Sequence, residues 1–228
     1  MRYGLLSLSV ALAAGLGLAV ASDDQAEVKR TEIGKNVFLE TEGQQRRVVV
    51  KAYVCLREGQ LEGLLCRKAT KEHEYILAAD ADARHIHAAL LAARAEPGNP
   101  VQFEPKFKPA SGSTIKVTLQ YKKGDKLVTD AAQDWIGDGQ GDKALKENWV
   151  FGGSRFLPDP LDKTKKVYLA NQGDVICLCN MESAMLDLPI RSPKKLEERT
   201  YHAITKKIPE QDTPVEVILE AVPQKKDQ

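Results

Sequence analysis

Net charge is almost absent from this sequence, which sets 33 Lys and Arg against 32 Asp and Glu. Nucleic acid and anionic lipid surfaces are usually met by a concentrated basic face, and a balanced chain offers them no long-range attraction. The lysine pairs at 122–123, 165–166, 194–195 and 206–207 alternate with acids and read as solvated loops and edges. Long apolar runs are equally scarce. After the first 21 residues no segment reaches the roughly 20 apolar residues that a spanning helix needs. Internal repeats and low-complexity linkers are also missing, so the bulk of the chain reads as one domain with enough length to bury a core.

The motifs of common chemistries are missing too. There is no Walker pattern and no G-x-G-x-x-G between a strand and a helix. His73-Glu74 is followed by Tyr75-Ile76-Leu77, so the H-E-x-x-H spacing of a zinc enzyme fails. His85 and His87, two residues apart on a helix, point about 200° from each other and cannot chelate one ion together. The run Asp138-Gly139-Gln140-Gly141-Asp142 resembles a calcium loop, yet Lys143 replaces the turn glycine and Trp149 the bidentate glutamate. Ser154 in Gly152-Gly153-Ser154 lacks the nucleophile-elbow context, because Arg155 and Phe156 follow. C-x-C at Cys177 and Cys179 differs from the C-x-x-C of thiol-disulfide oxidoreductases. No catalytic residue, metal ligand set or cofactor is assigned from these patterns.

What is present begins at the N-terminus. Arg2 precedes an apolar run from Tyr3 to Ala21 that closes on Ala19-Val20-Ala21, a signal-peptidase pattern. Gly15 and Gly17 loosen the run ahead of that site, and Ser22 in place of Cys signals no lipid anchor. The expectation is an exported protein, periplasmic or secreted, with no stable membrane span once residues 1–21 are removed. A polar lead over 22–35 then precedes a single domain over 36–222 and a polar tail over 223–228.

Hydrophobic period predicts the elements of that domain. The stretch RRVVVKAYVCL and the following LEGLLCRK read as a hairpin with Glu58-Gly59 at its tip, placing Val48, Val50, Ala52, Val54, Leu56, Leu61 and Leu65 on a core face. A third strand spans His73 to Ala79. A helix follows, capped by Asp80 or Asp82, with Ile86, Ala89, Leu90 and Ala93 on one stripe and Glu96-Pro97-Gly98 beyond its end. IKVTLQY alternates as a half-exposed antiparallel strand, and Val215, Val217 and Leu219 repeat the pattern. DVICLC reads as a buried strand; WVF and KVYLA are shorter candidates. The predicted class is α+β, a mainly antiparallel β-sheet with one principal α-helix packed on it.

The strings LEGLLCRKATKEHE, IHAALLAARAEPGNPVQF, AQDWI, WVFGGS, GDVICLCN and AMLDLP, in this order, resemble the YdjY-domain family of exported bacterial proteins, and KKIPEQDTPVEVIL resembles its last strand. The resemblance covers nearly everything after the leader and polar lead. It implies an envelope or extracellular setting and supplies no catalytic residues. Members described as ferredoxin-like carry a cysteine-rich cluster run that is missing here, so no iron–sulfur role is implied.

Cys55, Cys66, Cys177 and Cys179 are an even count for an oxidising compartment, which favours disulfides. In the hairpin register, Cys55 and Cys66 lie about 13 Å apart, and Cys177 and Cys179 about 6.8 Å apart along one strand. A long-range bridge, first of all Cys66 with Cys177, is therefore the expected pairing. For a ligand site the polar groups at strand ends are His73, Glu74, Trp149, Ser154 and Asn180. The functional expectation is an exported binding or envelope-associated module for an unidentified ligand, with no nucleic-acid partner. The competing class is a small periplasmic metal-dependent or hydrolytic enzyme using His73 and Glu74.

Overall fold

The computed structural model describes residues 27–139, 141–192 and 201–223. The leader read over 1–21 lies outside the described residues. The first half of the chain supplies β1 (Lys29–Gly34), β2 (Val37–Glu42), β3 (Gln45–Val54), β4 (Gly63–Arg67), β5 (Tyr75–Ala79) and α1 (Ala83–Ala92). Then come β6 (Thr114–Lys123), β7 (Lys126–Ala131), β8 (Ile136–Asp138), β9 (Trp149–Phe151), β10 (Phe156–Pro158) and β11 (Lys166–Tyr168). The last strands are β12 (Ile176–Cys177), β13 (Leu186–Asp187), β14 (Tyr201–Ala203) and β15 (Pro214–Ala221).

Eight strands close on themselves in the order β3, β15, β6, β9, β13, β12, β4, β5 and back to β3. The pairings β4/β5 and β12/β13 are parallel and the other six antiparallel, so the barrel is mixed. Closure removes the open edges of the eight strands. Outside the ring, β2 and β1 extend from β3, and β7 extends from β6. Among the described residues, strands make up 43% and helical residues 10%. This corrects the α+β expectation of a mainly antiparallel sheet under a helix: the fold is a closed mixed β-barrel with one α-helix. The physical reason is that closure depends on strands too short to carry a period. β12 and β13 have two residues each and β9 three, all buried.

The expected hairpin is also replaced. β5 lies between β3 and β4, antiparallel to the first and parallel to the second. Residues 59–61 do not fold back onto β3 because their backbone pairs elsewhere. Leu61 N–H donates to Tyr201 O, Ala203 N–H donates to Gly59 O, and Gln60 bridges His202.

Where the alternation is long, sequence and structure agree. Ile115, Val117, Leu119 and Tyr121 of β6 are buried, as are Val215, Val217 and Leu219 of β15. The helix starts where Asp82 accepts from Arg84 N–H, and its stripe of Ile86, Ala89 and Leu90 joins the core that holds Val37, Val48 and Val50. It ends at Ala92, before Glu96-Pro97-Gly98, because Arg94 turns left-handed at φ 67°. β1 falls inside the stretch read as a polar lead; its residues are mostly exposed, so no alternation marks it. Burying the aromatic anchors Trp135 and Trp149 contributes on the order of 3 kcal/mol each. Cys66, Tyr75 and Ala78 face away from that core and form a second cluster with Cys177 and Ala184.

Candidate functional site

The four buried polar or charged residues among those described are Glu40, Glu62, Asp174 and Asp187. Glu40 lies between the guanidinium groups of Arg30 and Arg47, each 2.6 Å away. The other three, Glu62, Asp174 and Asp187, form an acidic region around β4, β5, β12 and β13 in which the charge of Asp174 acts on Asp187. Backbone bonds assemble it. Glu62 N–H donates to Glu74 O, while Leu178 and Cys179 N–H both donate to Glu62 O. Met185 N–H donates to Asp174 O, folding the 178–185 loop over the end of β12. Gly63 is required by close approach, since a Cβ there would fall 1.9 Å from the Tyr75 ring.

Asp174 is the hub. Its Oδ1 accepts from Lys71 Nζ at 2.8 Å and from Tyr75 OH at 2.9 Å, and its Oδ2 accepts from Ser183 Oγ at 2.5 Å. The Lys71 ammonium also lies 3.9 Å from Glu62 Oε2 and 3.7 Å from Met181 Sδ. Burial works against that ammonium, but the hydrogen bond and charge of Asp174 outweigh it and hold the Lys71 pKa above its ordinary value. Burial pushes the Cys177 thiol well up, and the charges of Asp174 and Asp187 push it further. Tyr75 is raised by burial and then by Cys177, whose Sγ is 3.4 Å from its hydroxyl, and by Asp174.

Asp187 is the exception to full satisfaction. Its Oδ1 accepts from Leu188 N–H at 2.8 Å and Asn180 Nδ2 at 3.3 Å. Its Oδ2 is buried with no hydrogen-bond partner. Burial pushes its pKa up to about 7, with the charge of Asp174 adding to the rise. An orphaned carboxylate oxygen in a protein interior needs a proton or a cationic neighbour.

The five residues expected to form a site are distributed unevenly around this cluster. Asn180 belongs to it and also exchanges two 2.8 Å bonds with Ser192. Ser154 reaches its edge, donating to Ser183 O at 2.6 Å and accepting from Ala170 N–H. Trp149 is fully buried beneath it, its Nε1–H donating to Cys177 O at 2.7 Å. His73 is 72% exposed and lies 2.7 Å from Glu74 Oε1. The hydroxyl of Ser154 is thus engaged in structure on both sides. Lys71, Asp174, Ser183 and Asp187 were missed by sequence reasoning. A carboxylate inside the apolar run Met185-Leu186-Asp187-Leu188 was the available signal for the last.

All four cysteines are free thiols, so the expected Cys66–Cys177 bridge is not formed, although both residues belong to one cluster. With β5 inserted, Cys55 and Cys66 are neighbours over that strand. The Cys66 thiol, followed by burial, pushes the Cys55 pKa strongly up, and Cys55 Sγ donates to Tyr75 O at 3.0 Å. Among the described residues, no group of three or more His, Cys, Asp or Glu is placed to hold a metal ion. Among them also, no helix is long and apolar enough to cross a membrane.

The strings that build the cluster, around Glu62, Lys71, Asp174 and Asp187, are those that carried the family resemblance. No curated protein and no solved structure matches the chain. A family model described as the YdjY domain matches residues 39–220, and the chain belongs to the YdjY-domain family.

Proposed function

We propose that this chain is an exported binding module, working in the periplasm or outside the cell, whose acidic cluster recognises a cationic group on its ligand. Export rests on the N-terminal leader pattern ending at Ala21. The observation that carries the binding reading is the orphaned Asp187 Oδ2 beside Asp174. The Lys71 ammonium faces two of the buried carboxylates, Asp174 and Glu62, while Asp187 Oδ2 has no hydrogen-bond partner, which is a poor way to stabilise a fold. It is a good way to attract a second ammonium, and Lys71 shows the coordination such a group receives: a carboxylate oxygen at 2.8 Å and a thioether at 3.7 Å.

The test is thermal unfolding of the full chain with and without spermidine as the cationic probe. At pH 8, where Asp187 is ionised, spermidine raises the unfolding temperature; at pH 5 it does not. Asp187→Asn abolishes the difference. An equal shift in wild type and variant, or none at pH 8, rejects the reading.

A further inference from the structure

A second site lies on the outer surface of the barrel, where β3, β15 and β6 run side by side. Register places Lys51, Glu216 and Gln120 in one row across these strands, and Gln120 continues the row to Thr129 on β7. Lys122, two residues beyond Gln120 on the same face, stands opposite Leu127. Between them is a cavity of about 480 Å³ bounded by Lys51, Gln120, Lys122, Leu127, Pro214 and Glu216. That volume is in the range of small-molecule sites, roughly 300–1,000 Å³.

The charges around it do not cancel. Glu216 is occupied by Arg30, whose two guanidinium N–H groups donate to its two oxygens at 2.9 Å each. Lys51 lies over the Phe38 ring, 5.0 Å from its centroid. Among the described residues neither Lys51 nor Lys122 forms an ion pair with a carboxylate. The wall is aliphatic: Pro214 lies at the start of β15, and Leu127 is 62% exposed. Two unneutralised ammonium groups beside an aliphatic wall complement one kind of molecule, an anion with an apolar tail. Nucleic acid fits poorly, because two cations give little phosphate neutralisation and Phe38 is already covered by Arg30 and Lys51.

We infer that this groove binds an aliphatic carboxylate, with the carboxylate between Lys51 and Lys122 and the chain along Leu127 and Pro214. The site is independent of the acidic cluster, and its probe has the opposite charge, so either reading can fail alone. The experiment is titration of the ¹⁵N-labelled full chain with decanoate, with decyltrimethylammonium as the control of opposite headgroup. Decanoate shifts the amides of β3, β6, β7 and the start of β15, and the control does not. Lys51→Glu with Lys122→Glu weakens decanoate by about tenfold or more, as does Leu127→Asp. Lys51→Ala with Lys122→Ala, which touches no buried group, gives the same direction should charge reversal disturb the fold. Equal affinity for the two headgroups, decanoate affinity unchanged in the variants, or shifts confined to another surface overturns the inference.

Discussion

The Lys71 ammonium lies 2.8 Å from Asp174 Oδ1 and joins the turn after β4 to the approach to β12 across 103 residues of chain. Asp174 is 3% exposed, so its carboxylate has left water almost completely, whereas the Lys71 side chain keeps 26% of its exposure. The asymmetry matters. A carboxylate that cannot rehydrate depends on its partner, and Tyr75 and Ser183 supply hydrogen bonds but no charge.

Lys71→Met keeps the stem and removes the charge. Breaking a fully buried pair from one side costs about 3–5 kcal/mol. The partial exposure of Lys71 lowers the expected loss to about 2 kcal/mol at pH 7. Urea unfolding measures it, and pairing the change with Asp174→Asn in a double-mutant cycle isolates the coupling. A loss for Lys71→Met that is unchanged in the Asp174→Asn background would show that the two residues act separately.

Asp187 makes stability depend on pH. Its folded pKa of about 7 lies above the ordinary 3.8. Between those values the unfolded chain is ionised while the folded chain keeps its proton, so stability falls as pH rises from about 4 to about 7, then levels. About three pKa units correspond to a change on the order of 4 kcal/mol. Asp187→Asn removes this slope, so its stability relative to wild type rises across the same window. Unfolding free energies at pH 4.5, 6 and 8, chosen to bracket ~7, are the measurement. A constant separation between the two proteins would assign the titration to another group.

Legibility in the sequence followed the length of the pattern. β6 and β15 alternate over eight or more residues, and α1 carries both a cap and a stripe, so each could be placed from the chain alone. The two parallel pairings that help close the barrel could not, because β4, β12 and β13 are short and nearly all buried, leaving no polar face to show a period. The insertion of β5 between β3 and β4 depends on β14, more than a hundred residues downstream, capturing residues 59–61. In the site, Asn180 and Ser154 were legible as polar groups at strand ends. Lys71 and Asp174 acquire meaning only from each other, and nothing local in either segment announces the partner.

Thiol chemistry tests the second cluster. Cys66 and Cys177 are fully buried, Cys179 nearly so, and Cys55 is half-buried with its pKa pushed up by the Cys66 thiol and by burial. A thiol held protonated is a slow nucleophile. In the folded protein at pH 8, iodoacetamide therefore labels Cys55 slowly and the other three not at all. In denaturant without reductant, intact mass shows all four cysteines labelled. Recovery of only two labels would reveal a disulfide.

The start of α1 concentrates an electrostatic contribution of the opposite sign. Asp82 Oδ1 accepts from Arg84 N–H at 2.9 Å and from Asn171 Nδ2 at 3.0 Å, and Asn171 Oδ1 accepts from Ala83 N–H at 2.8 Å. The Arg84 guanidinium, then the Asn171 amide and the helix N–H, outweigh burial and hold the Asp82 carboxyl well below the usual range. A depressed folded pKa stabilises above the unfolded value of 3.8 and loses that contribution as pH falls through the folded one. Asp82→Ala removes the cap and leaves Asn171 with one partner fewer, at a cost of about 1 kcal/mol at pH 7. Asp82→Asn keeps the acceptor oxygen and drops the charge, so it recovers part of that loss and flattens the acid limb. Thermal unfolding of the three proteins at pH 7 and at about pH 3 separates the two contributions, since the gap between the neutral variant and wild type begins to narrow once pH falls below 3.8. If Asp82→Asn is as costly as Asp82→Ala at both pH values, hydrogen-bond geometry and not charge holds the helix start.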